Sequence, residues 1–508
     1  MVSSGSTPIG YAKAITEYNL AVLPPHQLSS WAPVAGKRVQ LKGGHALVTY
    51  PSAYDPGPSL FAHLEFALKH EGVSLEVLAA LFRTADRGPF VDGLCRHIQE
   101  RPTGQYTRRL WFLYEFLMDR QLPLEDVAQG NYIELLDPKR YYTTSPERSR
   151  RHRVLNNLLG NRDFCPMVRR TPTLQEFEAK RLAEEAARIV ASYDEDALRR
   201  AINYLYTKET RSSFDIEREK PSVIRAARFV SLLREIPDKA SLDEATLVQM
   251  QNVIVEQRFG EHSYREEQNY VGESVGMRQR VHFVPPRPAD VPRLMGGLLS
   301  CLERMTASQV EPLIHAATIS FGFVFIHPFE DGNGRLHRLL IHYILSRAGF
   351  TPKGLVFPIS AVMLQKRGEY DACLESFSKP LMTLLEYEMD EAWRLSVKGE
   401  TADFYRYIDF TRMAEDLYRW TEETIRTEFR EELDFVVRYR EAREKMDGLV
   451  EMSDTTRNRF VQFCLQNGGR LSETKRARYF SALTEDEVRA LEQVIQEHLL
   501  PSSGSRSG

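Results

Sequence analysis

The residue types with chemistry to offer are concentrated between positions 327 and 338: His327, Pro328, Phe329, Glu330, Asp331, Gly332, Asn333, Gly334, Arg335, Leu336, His337 and Arg338. An imidazole at His327, held by the rigid backbone of Pro328, can accept a proton from a hydroxyl near neutral pH. Gly332 and Gly334 flank Asn333 and let backbone N–H groups turn toward an anion without a Cβ in the way. Arg335 and Arg338 supply two forked guanidinium groups, which suit a polyphosphate better than a single phosphate. Asp331 places one hard oxygen beside them, enough for a magnesium ion otherwise held by phosphate and water. Phe329 reads as an apolar peg.

These residues need a frame, and the flanking pattern provides one. Residues 313–326 are apolar, and Leu336, Leu339, Leu340, Tyr343 and Ile344 repeat at helical spacing. The polar run therefore sits at a helix–loop–helix junction. A helix opening near Arg335 would aim its free N–H groups and the positive end of its dipole at the same point, which makes an anion site. The two arginines are expected on the face opposite the leucines.

Taken together the string resembles the signature of the Fic family, His-Pro-Phe-x-(Asp/Glu)-Gly-Asn-Gly-Arg-x-x-Arg, at every specified position. The resemblance implies a mainly α fold, with a helical core and a small β-hairpin flap, that moves the AMP part of ATP onto a hydroxyl of another protein. It gives His327 the role of general base and Asp331 that of Mg²⁺ ligand. Asn333 with the amides of Gly332 and Gly334 would form the anion hole, and Arg335 and Arg338 would hold the β- and γ-phosphates. The related Doc branch carries Lys where Gly334 stands, so Gly here favours nucleotidyl over phosphoryl transfer. Upstream, Ser213 and Glu217 lie four apart and resemble the inhibitory helix, Ser/Thr-x-x-x-Glu-Gly/Asn, whose Glu pairs with the second motif arginine, here Arg338. The departure is Arg218, where Gly or Asn is usual. Tyr270, Val271 and Gly272 fall in a segment that resembles the target-docking flap, formed by β-prone runs at 264–272 and 281–286. Tyr370 falls where family members stack an aromatic ring on adenine. Read from its residues alone, it is equally a core tyrosine.

Bulk properties set the outer limits. The length of 508 residues exceeds one ordinary core and points to about three domains. At 42% hydrophobic, 27% charged and a formal charge of −3, nothing suggests a nucleic-acid or membrane field over the whole surface. Cys95, Cys165, Cys301, Cys373 and Cys464 are scattered and read as reduced thiols of a cytoplasmic protein. No signal peptide and no membrane span is expected.

Along the chain, residues 1–7 are expected to be loose, and 37–50 to form a hairpin around Gly43 and Gly44. Segments 60–70 and 108–118 read as buried helices. The basic cluster Arg148, Arg150, Arg151, Arg153 lacks interleaved aromatics, so a salt-bridged surface is expected over a nucleic-acid patch. The division is then 1–175, an N-terminal α+β domain; 176–222, a helical segment with the inhibitory motif; 223–385, the catalytic core; 386–500, a C-terminal helical domain, its last part, 457–500, a small bundle or winged-helix-like module; and 501–508, a floppy tail. Expected partners are a target protein bearing a Ser, Thr or Tyr hydroxyl, or the chain itself. Removal of AMP from a modified protein, and a nucleotide-binding regulatory module without catalysis, are the alternatives. An intact His327 weighs against the last.

Overall fold

The computed structural model describes residues 6–86, 88–235, 241–276 and 278–500. The expected loose ends at 1–5 and 501–508 lie outside the described residues. Thr7, placed with the loose start above, instead opens the first strand.

The N-terminal part begins with β1 (Thr7–Ile9), α1 (Tyr11–Tyr18), β2 (Gln27–Ala32), β3 (Arg38–Lys42) and β4 (His45–Pro51). The sheet order is β1-β2-β4-β3, with β2 and β4 parallel and the other pairs antiparallel. Lys42 pairs with His45 across Gly43 and Gly44, both at positive φ, which is the tight hairpin expected from that pair of glycines. Four helices follow: α2 (Leu60–His70), α3 (Leu75–Ala85), α4 (Gly88–Glu100) and α5 (Gln105–Met118). They bury one apolar cluster around Leu64, Leu78, Phe82, Trp111 and Tyr114. The short strands β5 (Ile133–Glu134), β6 (Glu147–Ser149) and β7 (Val154–Asn156) complete this part.

Two members of the basic cluster beside them are bound within the fold. Arg151 is bound by Glu115, Asp126 and the Leu122 and Leu124 carbonyls, while Arg153 donates to the Val127, Ala128 and Gly130 carbonyls.

The middle of the chain is helical: α6 (Pro172–Ala179), α7 (Leu182–Ala191), α8 (Glu195–Ile216), α9 (Val223–Glu235) and α10 (Glu244–Ile254). Then come the hairpin strands β8 (Val271–Val275) and β9 (Arg278–Phe283), and α11 (Val291–Ala307), α12 (Pro312–Ile326) and α13 (Asn333–Arg347). Along α12 all but two residues are buried, and α13 is buried from Asn333 to Leu345 except at Gly334. The remainder is α14 (Ile359–Gln365), α15 (Arg367–Met382), the strands β10 (Tyr387–Met389) and β11 (Leu395–Val397), α16 (Ala402–Arg406), α17 (Thr411–Arg426), α18 (Glu428–Leu449), α19 (Asp454–Leu465), α20 (Glu473–Tyr479) and α21 (Glu485–His498). The fold is mainly α with small β elements.

Packing divides the chain into two units, 1–180 with 213–350 and 363–419, and 181–212 with 351–362 and 420–508. In the first unit Phe164 packs against Gly297 of α11, where an added Cβ would come within 2.7 Å of the Phe164 backbone nitrogen. Cys165 and Met167 also donate backbone hydrogen bonds to Arg406 and Ile408, at 2.8 and 3.0 Å. In the second unit α18, α19 and α21 share a core of Met446, Phe460, Cys464, Leu491 and Ile495. Among the described residues 457–500 contain no strand, so this module is a helical bundle. Lys475 lies over Phe463 and Arg476 pairs with Glu485, so these cations serve packing.

Candidate active site

Helix α12 ends at His327, whose backbone turns left-handed at φ 54 and ψ 59. That single αL residue caps the helix and swings the imidazole off the helical path. Nδ1 lies 3.1 Å from the Val324 carbonyl oxygen, so Nδ1 carries the proton and Nε2 keeps the lone pair. Burial, helped by the nearby Arg265 charge, lowers the imidazole to about 4 despite the Val324 bond, so the ring is neutral at pH 7.

The loop after His327 is held from behind by residues that the motif does not contain. Buried Arg265 donates to the His327 carbonyl at 2.8 Å, to Glu267 at 2.9 Å and to Pro286 at 2.5 Å, and its own N–H reaches Pro328 at 2.8 Å. Gln251 of α10 bonds the Asp331 carbonyl at 3.2 Å, and Asn269 the Phe329 carbonyl at 3.0 Å. Phe329 is fully buried, with Tyr264 and Phe323 around its ring, as a peg should be.

Gly332, at φ 91, is the N-cap of α13, which begins at Asn333. The first N–H groups of that helix have no intrahelical partner. The side chain of Asn333, to which the resemblance gives an anion-hole role, bonds the loop itself. Its Nδ2 donates to the Phe329 carbonyl at 2.7 Å, and its Oδ1 accepts the Phe329 N–H at 3.1 Å. Asn333 therefore ties the loop closed. The Gly332 N–H is likewise used, by Asp331 Oδ1 at 2.6 Å.

The arginines are not on a solvated face. Arg335 is 2% and Arg338 1% exposed, because the end of α8 covers the side of α13 opposite the leucines. Arg338 donates Nε to Ser213 Oγ at 2.9 Å, and Nη2 to the Ser213 carbonyl at 2.7 Å and to Glu217 Oε1 at 2.8 Å. Its Nη1 is buried with no hydrogen-bond partner among the described residues. The Glu217 carboxylate lies over the helix start, where a Cβ on Gly334 would come within 2.2 Å of its Oε1. Burial would raise this carboxyl, yet Arg338, with Arg335 and Arg367 further off, holds it below the usual carboxylate range. Ser213 and Glu217, four apart in sequence, thus converge on one guanidinium.

Arg335 donates Nη1 to Glu219 at 2.5 Å and Nη2 to Asp331 Oδ1 at 2.8 Å. Asp331 keeps a half-exposed carboxylate, and among the described residues no cluster of three metal-ligating side chains forms. Tyr370, to which the resemblance gives an adenine-stacking role, is 3% exposed, with its ring centre 6.2 Å from that of His337.

The hairpin also starts later than the β-prone run suggests. Residues 264–269 form the brace around Arg265, Tyr270 precedes the strand, and Val271 and Gly272 open β8 at a register shift. Among the described residues β8 pairs only with β9, leaving its outer edge open. Phe283 of β9 packs on Phe325 of α12, two residues before His327, so the hairpin is anchored next to the imidazole.

Residues 241–345 match the Fic/DOC family. The protein adenylyltransferase Fic of Drosophila willistoni is 28% identical over 276 residues, 49% of this chain and 47% of the relative. That of Drosophila virilis is 32% identical over 158 residues, 31% of this chain and 25% of the relative. The chain thus spans about half the length, or less, of the curated relatives it matches. Among solved structures, a Fic family protein from Desulfovibrio desulfuricans G20 is 18% identical with a TM-score of 0.35, over 64% of this chain and 90% of that one.

Proposed function

We propose that this protein transfers AMP from ATP to a hydroxyl side chain of a protein, and that the end of α8 holds the activity down. The carrying observation is the placement of a neutral imidazole, proton on Nδ1, beside a helix start flanked by two buried guanidiniums. The acceptor oxygen attacks the α-phosphorus, its proton passes to His327 Nε2, and the bond to the bridging oxygen breaks to release pyrophosphate. Arg338 and the opening N–H groups of α13 meet the charge that grows on the leaving group. Asp331 is the residue that would hold Mg²⁺, contributing one oxygen beside water and phosphate, and the ion would supply further neutralisation of the phosphates. The open edge of β8 would take the target segment by strand addition, with Tyr270, Val271 and Gly272 nearest the imidazole end. The acceptor is a Ser, Thr or Tyr of a partner, and the chain itself is a second acceptor.

Restraint follows from charge. The Glu217 carboxylate sits where a phosphate oxygen would need to approach Arg338 and Gly334, so a triphosphate and this carboxylate exclude each other. Incubation with ATP labelled at the α-phosphate should leave label on protein, more with Glu217→Gly than with the parent, and none with His327→Ala. Label arriving only from the γ-phosphate would overturn the proposal.

A further inference from the structure

The end of α8 is built so that two carboxylates, not one, face the site. The Glu219 N–H bonds the Phe214 carbonyl at 3.1 Å and the Arg218 N–H bonds the Asp215 carbonyl at 3.0 Å, with Arg218 left-handed at φ 57. These two bonds define a Schellman cap in which Glu217 is the last capping residue, Arg218 the αL residue and Glu219 the first residue beyond it. The cap fixes Glu217 and Glu219 on either side of Arg218. Glu217 meets Arg338, and Glu219 bridges Arg335 at 2.5 Å and Arg225 of α9 at 2.6 Å. Phe214, from the last turn of α8, has the Arg225 and Arg335 guanidiniums at 5.0 and 5.2 Å from its ring centre. Glu219 is thus the anion between two cations that otherwise face each other over one ring.

Resting on the restraint proposed above, we infer that Glu219 is a second inhibitory positioning residue, which acts through Arg335 as Glu217 acts through Arg338. The cap is then a two-carboxylate plug, and each carboxylate stands against a guanidinium that the nucleotide's phosphates need. Because one turn carries both, the two contacts seat and leave together. Arg225 holds the plug from the outside, since its Nε is anchored on the Ile254 carbonyl at 2.7 Å and cannot follow Glu219 away.

The test is direct binding of ATP with Mg²⁺ by calorimetry to the full chain and to Glu219→Gln, Glu217→Gln and the double variant, with thermal melting of each. Glu219→Gln alone is expected to tighten ATP binding about tenfold, in the range usual for coupled sites, and the double variant to bind tighter than either single one. Should Glu219→Gln not fold, Glu219→Asp keeps the charge but retracts it from Arg335, and a smaller gain in affinity is expected. Unchanged or weaker binding in a well-folded Glu219 variant would overturn the inference, since Glu219 would then only brace Arg335. Binding is read here independently of transfer. Absence of AMP transfer in Glu217→Gly would therefore fault the proposed chemistry, while an inert Glu219 with active Glu217→Gly would fault the plug alone.

Discussion

Arg218→Gly should strengthen the restraint, although the substitution removes a side chain from an exposed position. Arg218 occupies the left-handed region at φ 57, where an L residue other than glycine carries a strain of roughly 1–2 kcal/mol. Glycine relieves it but brings extra freedom to the unfolded chain, which takes back about 0.5 kcal/mol, leaving a net gain of about 1 kcal/mol. That gain belongs to the seated cap, because only there is the left-handed conformation required. A gain of about 1 kcal/mol shifts the seated-to-released ratio roughly fivefold. Basal AMP incorporation from labelled ATP should fall by about that factor, and exchange of the Glu219 amide, which closes the cap, should slow equally. In the Glu217→Gly background the same substitution should lower the transfer rate by a smaller factor, because only the Glu219 contact with Arg335 is then left on the cap. A basal rate that rises in Arg218→Gly, or faster exchange at Glu219, would refute the link between the cap and restraint.

Other expectations follow from the same geometry. Arg265→Ala leaves the His327, Glu267 and Pro286 carbonyls without their donor, so a loss of about 3 kcal/mol in urea unfolding is expected, with slower transfer at unchanged nucleotide affinity. Asn333→Ala removes both bonds to the Phe329 backbone and should cost about 2 kcal/mol, seen as earlier melting, together with reduced transfer. With its imidazole lowered to about 4, His327 should stay neutral when the nucleotide-free protein is taken from pH 7.5 to 5.5, as ring resonances in NMR would report. The unfolded chain protonates this ring near 6.5, so it binds more protons than the folded one between 6.5 and 4. The stability His327 contributes is therefore complete above about 6.5 and declines as pH falls toward 4, which an acid-unfolding comparison with His327→Gln should register.

Much of the site could be read from the chain because its parts lie close together in sequence. His327 through Arg338 span one helix end, one loop and one helix start, and local stereochemistry decides where they point. Ser213 and Glu217 were visible for the same reason, being one helical turn apart. Glu219 was hidden: it lies past the helix, and its value depends on Arg225 and Arg335, which only folding brings to it. Arg265, Gln251 and Asn269 act on backbone carbonyls of the loop, a role that any donor of suitable reach could fill and that leaves no pattern in sequence. Tyr370 and Asn333 matched positions of known use, yet their partners in the fold, His337 with Arg338 and the Phe329 backbone, decide what they touch. Phe164 and Met167 find partners more than a hundred residues away, contacts that leave no local pattern either.

Intact-mass measurement after incubation with ATP and Mg²⁺ tests most directly the proposed closure of a nucleotide site by the chain's own carboxylate. Glu217→Gly should gain the mass of one AMP, while the parent chain gains little and the Glu217→Gly, His327→Ala double variant gains none. No gain in Glu217→Gly, or a gain equal to a single phosphate, would contradict it.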